Sequence, residues 1–376
     1  MNILWLAHRD IKNPRAGGAE RTIYEVGRRL VREGHTVTLL TSGFAGGSKT
    51  ENIEGVKVLR YGHLVAVHLV VPYFIFRGGY DVVINDLGHA IPWPSTLVRK
   101  GKRIVFFRHL HARSLPGQMN PFLAKIITAI EKTYPIIYGN TPFVTESLTS
   151  RNDLVSLSIK AENITLIPPG VDSEKFKPGK KTDYPSMVYF GGVRDYKRPE
   201  VSIYLAHELS MVFPQMRLFF IGEGSGIARL KRLVAGIGIE SNVQFMGRLD
   251  EADLADTVSK SWINIHSSVT EGWGYSVIEA SAAGTPTVAY DVPGISDSIR
   301  NGRNGLKVEN GNIHDLLDAA LQILANPLQW WVSSREVALE YSWDETVRSW
   351  ERLIREVGDR NASLFPSNAS STEGQH

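Results

Sequence analysis

Two glutamates placed eight residues apart, Glu271 and Glu279, offer the most specific chemistry in the chain. Glu271 follows an apolar run and a polar loop, and Glu279 is expected about one turn inside the next helix. Between them, Gly272 and Gly274 let backbone N–H groups approach a ligand at a helix N-terminus, where anions are favoured. A phosphate fits this loop, and Glu279 can accept hydrogen bonds from a sugar diol. A capped helix with two solvated glutamates is the alternative interpretation.

The residues around this pair predict a strand, a loop, a helix and a second strand, which is the repeat unit of a parallel α/β sheet. Similar apolar strands are expected at residues 2–7, 36–41, 81–85, 103–107, 136–140, 186–190, 216–221, 243–246 and 287–290. Asp86 follows one of these strands, and Arg108, His109 and His111 follow another. Open α/β sheets keep their ligand groups at the carboxyl ends of the strands, so these side chains are expected near a cleft.

Two glycine-rich loops also follow predicted strands. Gly17 and Gly18 precede a helix that is expected to run to about residue 33, and either a tight turn or a phosphate site explains them. After the strand at 186–190, Arg194, Lys197 and Arg198 follow a glycine pair, a pattern that fits a diphosphate clamp or a solvated basic loop. The glycines at 222–226 do not match the dinucleotide-binding pattern, because position 227 is isoleucine.

Length and composition limit the classes of protein. A chain of 376 residues suits two α/β domains. Cysteine is absent from the sequence, which excludes disulfides, thiolate nucleophiles and cysteine metal sites. Residues 2–7 predict a buried strand rather than a secretory signal, and no apolar run approaches the roughly 20 residues that span a bilayer. We therefore expect a cytoplasmic protein.

The charge is distributed unevenly between the two halves. Residues 1–176 carry 22 basic and 14 acidic side chains, whereas residues 177–376 carry 20 and 25. No nucleic-acid recognition module accompanies the basic half, so we expect no nucleic-acid partner. Residues 64–76 are unusually apolar and predict either a core helix or an interfacial surface. The second interpretation predicts peripheral contact of the basic half with the inner face of a membrane.

The segment Glu271-Gly-Trp-Gly-Tyr-Ser-Val-Ile-Glu279-Ala-Ser-Ala-Ala-Gly284-Thr-Pro286 closely resembles the donor-site signature of retaining family 4 glycosyltransferases, which have the GT-B fold. Further matches extend along nearly the whole chain. The resemblance implies two Rossmann-like, doubly wound parallel-sheet domains with a cleft between them. It implies an acceptor-side domain at residues 1–172, a nucleotide-sugar-binding domain at 173–342, and a helix at about 343–358 that crosses back to the first domain. The polar composition of residues 359–376 predicts a disordered tail.

The same resemblance implies roles for individual residues. In such enzymes the second glutamate holds the ribose of the sugar nucleotide and the first contacts the donor sugar. Catalytic roles are thereby implied for Glu271, His109 and Lys197, with His111 as the alternative histidine. Arg194 is expected to supply a guanidinium because Gly192 occupies the position where the family has arginine. Donor binding is implied for Gly17, Gly18, Arg194, Lys197, Gly224, Met246, Gly247, Gly272, Trp273, Gly274, Tyr275, Ser276 and Glu279.

The implied activity is the transfer of a sugar from a nucleotide-diphosphate sugar to a hydroxyl of a glycan, lipid-linked or small-molecule acceptor, with retention of configuration. The sequence contains no Asp-x-Asp. We therefore expect no metal or other cofactor, and expect Lys197, Arg194 or Arg198 and a helix N-terminus to offset the diphosphate charge. The alternatives are a sugar-nucleotide epimerase of the same fold and a non-catalytic sugar-nucleotide-binding or membrane-associated module.

Overall fold

The first half of the chain folds around a mostly parallel sheet. The computed structural model describes residues 1–95, 102–111 and 120–362. The strands are β1 (Asn2–Leu6), β2 (Thr36–Thr41), β3 (Thr50–Ile53), β4 (Val56–Arg60), β5 (Val82–Leu87), β6 (Arg103–Phe107), β7 (Phe143–Thr145) and β8 (Ile164–Leu166). Their order across the sheet is β3-β4-β2-β1-β5-β6-β7-β8, and neighbouring strands are parallel except β3 and β4.

Both faces of this sheet are buried. Ile3 and Trp5 belong to the core on one face. Leu4 and Leu6 belong to the core on the other face. Central strands of a parallel sheet are covered by helices on both sides, which explains why β1 is apolar throughout.

Helices cover the first sheet and connect its strands. They are α1 (Gly18–Arg32), α2 (Val67–Arg77), α3 (Pro121–Glu131), α4 (Tyr134–Tyr138) and α5 (Leu148–Ser156). In α1, Ile23, Val26 and Leu30 are buried. Their spacing of three and four residues places them on one stripe of the helix, which packs on the sheet.

The second half of the chain forms a fully parallel sheet. Its strands are β9 (Ser186–Phe190), β10 (Arg217–Ile221), β11 (Val243–Gly247), β12 (Ile263–His266), β13 (Thr287–Tyr290) and β14 (Gly305–Val308), in the order β11-β10-β9-β12-β13-β14. Its helices are α6 (Glu200–Val212), α7 (Ile227–Ile237), α8 (Glu251–Lys260), α9 (Tyr275–Ala282), α10 (Ile295–Ser298), α11 (Ile313–Ala325) and α12 (Pro327–Leu339).

The strand order reverses beside β1 in the first sheet and beside β9 in the second. This reversal is the topological switch point of a doubly wound fold, where ligands bind outside the carboxyl ends of the strands. The predicted fold class, two Rossmann-like parallel-sheet units, is confirmed.

The helix α13 (Trp343–Ala362) returns from the second half to the first. It packs against α1, β5 and β6. Trp350 and Ile354 are fully buried there, and the ring centroids of Trp350 and Trp5 lie 5.2 Å apart. The helix therefore completes one core of the first sheet.

Two expectations about local structure were wrong. Residues 136–140 do not form a strand, because Pro135 lies in the first turn of α4 and favours a helix start. The buried Tyr134 and Tyr138 then lie one turn apart on the same side of that helix. Residues 359–362 were expected to belong to a disordered tail, but they are helical, because α13 continues to Ala362 and each added helical residue gains a hydrogen bond. Residues 363–376 lie outside the described residues.

Candidate functional site

The carboxyl ends of the two sheets face each other across a cavity of about 390 Å³, called the cleft cavity below. The loop after β1 supplies one wall, and the loops after β9 and β12 supply the others. Its lining consists of Ala16, Gly17, Gly18, Arg21, Phe190, Gly191, Gly192, Arg194, Tyr196, Lys197, His266, Glu271, Trp273, Tyr275, Ser276 and Glu279. Glycines and charged side chains from both halves of the chain therefore meet in one space.

Lys197 and Glu271 form an ion pair at this cavity. A short 3₁₀ turn at Asp195–Lys197 carries the lysine. Ser268 Oγ donates to Glu271 Oε1 at 2.7 Å, and His266 Nε2 lies 3.6 Å from the same oxygen. Burial favours the neutral carboxyl, but the charge of Lys197, the nearby His266 and the hydrogen bonds from Lys197 and Ser268 together outweigh it, and the pKa of Glu271 lies below its ordinary value. Burial likewise disfavours the ammonium, yet Glu271 raises the pKa of Lys197, so both groups are charged at neutral pH.

Glu279 lies inside α9 and is buried. Its carboxylate pairs with Arg21 of α1, and this contact raises the pKa of the Arg21 guanidinium. Tyr275 Oη hydrogen-bonds to Thr22 Oγ1, also in α1. A Cβ atom on Gly18 would lie 2.6 Å from Cδ2 of Tyr275, so α1 can approach α9 this closely only with glycine there. These contacts join the two halves of the chain across the cleft.

A buried arginine organises the wall beneath the glycine loop. Arg108 Nη2 donates to Asp86 Oδ2 at 2.6 Å and to the carbonyl of Ala19 at 3.0 Å. Its Nη1 donates to Glu146 Oε1 at 2.9 Å. Asp86, which the sequence placed at the ligand edge of the sheet, lines neither the cleft cavity nor the cavity described next, and holds Arg108 in place.

A second cavity, of about 570 Å³, adjoins the first and is called the apolar cavity. It is lined by Leu64, Gly88, His89, Ala90, Ile91, His109, His111, Leu123, Ile126, Ile127, Ile130, Tyr196, Thr270, Glu271 and Gly272. Tyr196 and Glu271 line both cavities. A ligand in either cavity can therefore reach the same carboxylate.

His109 lies in the apolar cavity rather than the cleft cavity. Its Nδ1 is buried and has no hydrogen-bond partner in the described part of the chain. Burial lowers the pKa of His109 to about 3, so the ring is neutral at pH 7. His111 also lines this cavity, and its backbone N–H donates to Glu131 Oε1 at 2.6 Å.

The structure brings most of the predicted donor-binding residues together, but not all of them. Those that line the cleft cavity are Gly17, Gly18, Arg194, Lys197, Trp273, Tyr275, Ser276 and Glu279, and the predicted catalytic Glu271 lines it as well. Gly272 lines the apolar cavity, whereas Gly224, Gly274, Met246 and Gly247 line neither.

Two glycines of the predicted site have packing reasons of their own. A Cβ on Gly274 would lie 2.3 Å from Ser298 Oγ, and one on Gly224 would lie 2.2 Å from the carbonyl oxygen of Val193. The third predicted cation is also used elsewhere. Arg198 donates to the backbone carbonyls of Ser267 and Ser268, at 2.7 and 3.0 Å, and does not line the cleft cavity.

Sequence reasoning missed several residues of the cleft cavity, among them Arg21 and Tyr196. Arg21 follows Gly18 by three residues in a predicted helix, a spacing that places both on one face, so the signal was available. Tyr196 lies between the expected cations Arg194 and Lys197. The aliphatic wall of the apolar cavity gave no such signal, because its residues come from three distant parts of the chain.

The described residues contain neither a group of metal ligands nor a membrane-spanning helix. Across residues 1–95, 102–111 and 120–362, no three His, Cys, Asp or Glu side chains form a group that could hold a metal ion. Within those ranges, none of the helices has the length and apolar character needed to cross a bilayer.

Two family models match the chain. The model described as Glycosyltransferase Family 4 covers residues 16–175, and the one described as Glycosyl transferases group 1 covers residues 171–342. Among curated proteins, D-inositol 3-phosphate glycosyltransferase 2 of Catenulispora acidiphila is 30% identical over 49% of this chain and 48% of its own length. A Mycobacterium leprae D-inositol 3-phosphate glycosyltransferase is 30% identical over 52% of this chain and 50% of its own. The chain thus spans about half the length of the curated relatives it matches.

Solved structures match over almost the full chain. Sucrose-phosphate synthase from Thermosynechococcus elongatus gives a TM-score of 0.81 at 20% identity, covering 96% of this chain and 99% of that one. Anabaena HepE in complex with UDP and glucose gives 0.72 at 16% identity, covering 94% and 99%. At these identities the likeness concerns the fold. The two family models, which between them match residues 16–342, show that the chain belongs to the family 4 glycosyltransferases, and the structural likeness shows the GT-B fold.

Proposed function

We propose that the protein transfers a sugar from a nucleotide-diphosphate sugar to a hydroxyl group of an acceptor. The observation that carries this proposal is the meeting of Lys197, Glu271 and Glu279 with the Gly17-Gly18 loop around one cavity. Residues 173–342 are assigned to the donor, and residues 1–172 with the helix at 343–358 are assigned to the acceptor.

In this proposal the donor lies in the cleft cavity. Its diphosphate faces Lys197 and Arg194, whose charges offset the negative charge that grows on the leaving phosphate. The ribose diol donates to Glu279 and displaces Arg21 from it. Glu271 contacts the donor sugar, and the charge of Lys197 keeps that carboxylate ionised.

We propose that configuration is retained and that no metal ion or other cofactor takes part. The bond from the anomeric carbon to the phosphate oxygen breaks while the acceptor oxygen bonds to the same face of that carbon. The acceptor proton passes to the leaving phosphate, so no enzyme nucleophile is needed. A neutral His109 suits this scheme, because it can donate one hydrogen bond to a sugar hydroxyl without placing another positive charge near Lys197.

The acceptor is a glycan, a lipid-linked molecule or a small molecule, and the exposed apolar residues of α2 support contact with the inner face of a membrane. Leu69, Tyr73 and Phe76 on that helix are all largely exposed. Peripheral contact through such a surface needs no spanning helix.

Calorimetric titration with UDP, GDP, ADP and dTDP tests the donor site. The HepE structures contain UDP, which makes UDP the first ligand to try. We expect one nucleotide to bind and Glu279→Ala to weaken it by about 10- to 150-fold, the equivalent of one hydrogen bond to a charged group at about 1.5–3 kcal/mol. Glu309→Ala, on the exposed surface of the same half, is the matched control and should bind like the wild type.

Two outcomes would contradict the assignment. Wild-type affinity in Glu279→Ala would remove the ribose role, and no binding by any nucleotide would favour a non-catalytic module. Conversion of the donor sugar in the absence of acceptor would indicate the epimerase instead.

A further inference from the structure

The apolar cavity combines a small polar region with a large aliphatic one. Glu271, Tyr196 and three histidines supply most of its polar groups. Apart from Thr270 and the glycines Gly88 and Gly272, the rest of the lining is aliphatic, from Leu64, Ala90, Ile91, Leu123, Ile126, Ile127 and Ile130. A glycan in this space would place hydroxyls against side chains that cannot hydrogen-bond, which costs free energy for each unpaired group. The lining therefore fits a ligand that is itself largely apolar.

Three aliphatic residues of the lining are also exposed to solvent. Leu64, Leu123 and Ile126 keep 41%, 50% and 41% of their surface accessible, so they form the mouth of the cavity. Their chain neighbours Val65 and Phe122 are exposed as well. Exposed apolar residues on soluble proteins are usually scattered singly, and a group around a cavity marks a binding site. A long apolar chain can thus enter through an apolar rim.

The position of Glu271 decides which ligand this is. That carboxylate lines both cavities, and under the proposed function it contacts the donor sugar. A molecule in the apolar cavity consequently presents its polar head where the sugar is transferred.

We propose that the apolar cavity binds the hydrocarbon chain of the acceptor, which is an amphiphile with a hydroxyl-bearing head and an alkyl or isoprenoid chain. This inference rests on the proposed function, because the position of the head follows from the donor site that is assigned there. Burying the chain fixes the head beside Glu271 and His109 and excludes water from the reacting atoms. It also sets a chain-length dependence, since each buried methylene strengthens binding about fourfold.

Displacement of a fluorescent fatty acid, 11-dansylaminoundecanoic acid, from the full chain measures this directly. Butanol, octanol and dodecanol serve as competitors, and we expect the affinity to rise about fourfold for each added methylene until the cavity is filled. Saturating dodecanol should leave the affinity for the nucleotide equal or higher, because acceptor and donor bind together.

Substitutions on α3 locate the chain. Ile126→Asp and Ile127→Asp place a carboxylate in the cavity lining and should weaken dodecanol binding at least tenfold. Ile136→Asp on the next helix, α4, is the matched control, because Ile136 is exposed and lies outside both the lining and the rim, and it should leave the affinity unchanged. Nucleotide titration of each variant shows whether it is folded. Because two positions of the lining are substituted, the test remains valid if one of the two variants does not fold.

Each contrary result has a separate meaning. Affinity independent of chain length, competition between dodecanol and nucleotide, or an equal loss in Ile136→Asp would overturn this inference. If nucleotides bind normally while any of these holds, the proposed function stands and only the acceptor class fails. If the alkanols bind as expected but no nucleotide binds, the proposed function fails, and with it the assignment of the chain to an acceptor.

Discussion

Replacing Lys197 by methionine removes the only cation that is ion-paired with Glu271 among the described residues. Both side chains are mostly buried, with 21% and 16% of their surface exposed. Removing one member of a buried ion pair costs about 3–5 kcal/mol, because the remaining charge is desolvated without a partner. Ser268 continues to donate to the carboxylate, so we expect the lower end of that range, about 3 kcal/mol of the free energy of unfolding.

The double variant Lys197→Met with Glu271→Gln separates stability from catalysis. Removing both charges leaves no unpaired ion, so the free energy of unfolding should return to within about 1 kcal/mol of the wild type. The transfer rate should stay at least about a hundredfold below the wild type, because the leaving diphosphate has lost a preorganised cation.

Urea unfolding followed by tryptophan fluorescence measures the free energy of unfolding, and release of the nucleotide diphosphate measures the transfer rate. The exposed pair of Lys260 and Asp256 on α8 is the matched control, and its double replacement should change stability by no more than about 0.5 kcal/mol. A double variant at positions 197 and 271 that regained wild-type turnover would refute the reasoning, since the pair would then be structural only.

In Gly18→Ala, the added methyl group clashes with Tyr275 and should make the free energy of cleft closure about 1–3 kcal/mol less favourable. Steady-state kinetics should therefore show turnover at least fivefold lower, and unchanged turnover would contradict this. Because burial lowers the pKa of His109 to about 3, this ring does not titrate between pH 5 and 8, and the shape of the pH–rate profile in that range should be the same in the wild type and in His109→Gln. A wild-type rate that falls below about pH 6.5, with no such fall in the variant, would contradict this. Burial lowers the pKa of Lys181 to about 7, so between pH 7 and 10.5 the unfolded chain binds more protons and stability rises with pH. Lys181→Met should abolish this dependence of the free energy of unfolding on pH. Urea unfolding should show that the variant gains more stability over the wild type at pH 6 than at pH 9, and equal gains at the two pH values would contradict the prediction.

The sequence predicted the parts of the site that depend on short spacings. The strands at 186–190 and 287–290 appear at the predicted residues, since each is an apolar run bounded by glycine or proline. Lys197, Glu271 and Glu279 meet because the loops that carry Lys197 and Glu271, and the helix that carries Glu279, follow the central strands β9 and β12 of one parallel sheet.

Contacts between the two halves could not be predicted in the same way. The pairing of Arg21 with Glu279 joins residues 258 positions apart, and no local pattern encodes that distance. The wall of the apolar cavity has the same origin, because residues 64, 90–91 and 123–130 come together only after the sheet has formed. The helix at Tyr134–Tyr138 was missed for a local reason, since the apolar character of residues 136–140 outweighed the helix-starting proline before them.

The return of α13 to the first sheet imposes an order on how the protein can fold during synthesis. Trp343, Trp350 and Ile354 belong to the same core as Ile3 and Trp5. A ribosome makes that helix only after the whole second sheet, so one face of the first sheet emerges with α1 but without the second of its covering helices. Domains generally fold as units while the chain is made, and exposed apolar faces of incomplete domains invite aggregation. The half that is made first is consequently finished last, and the second sheet can reach its native packing before its partner does.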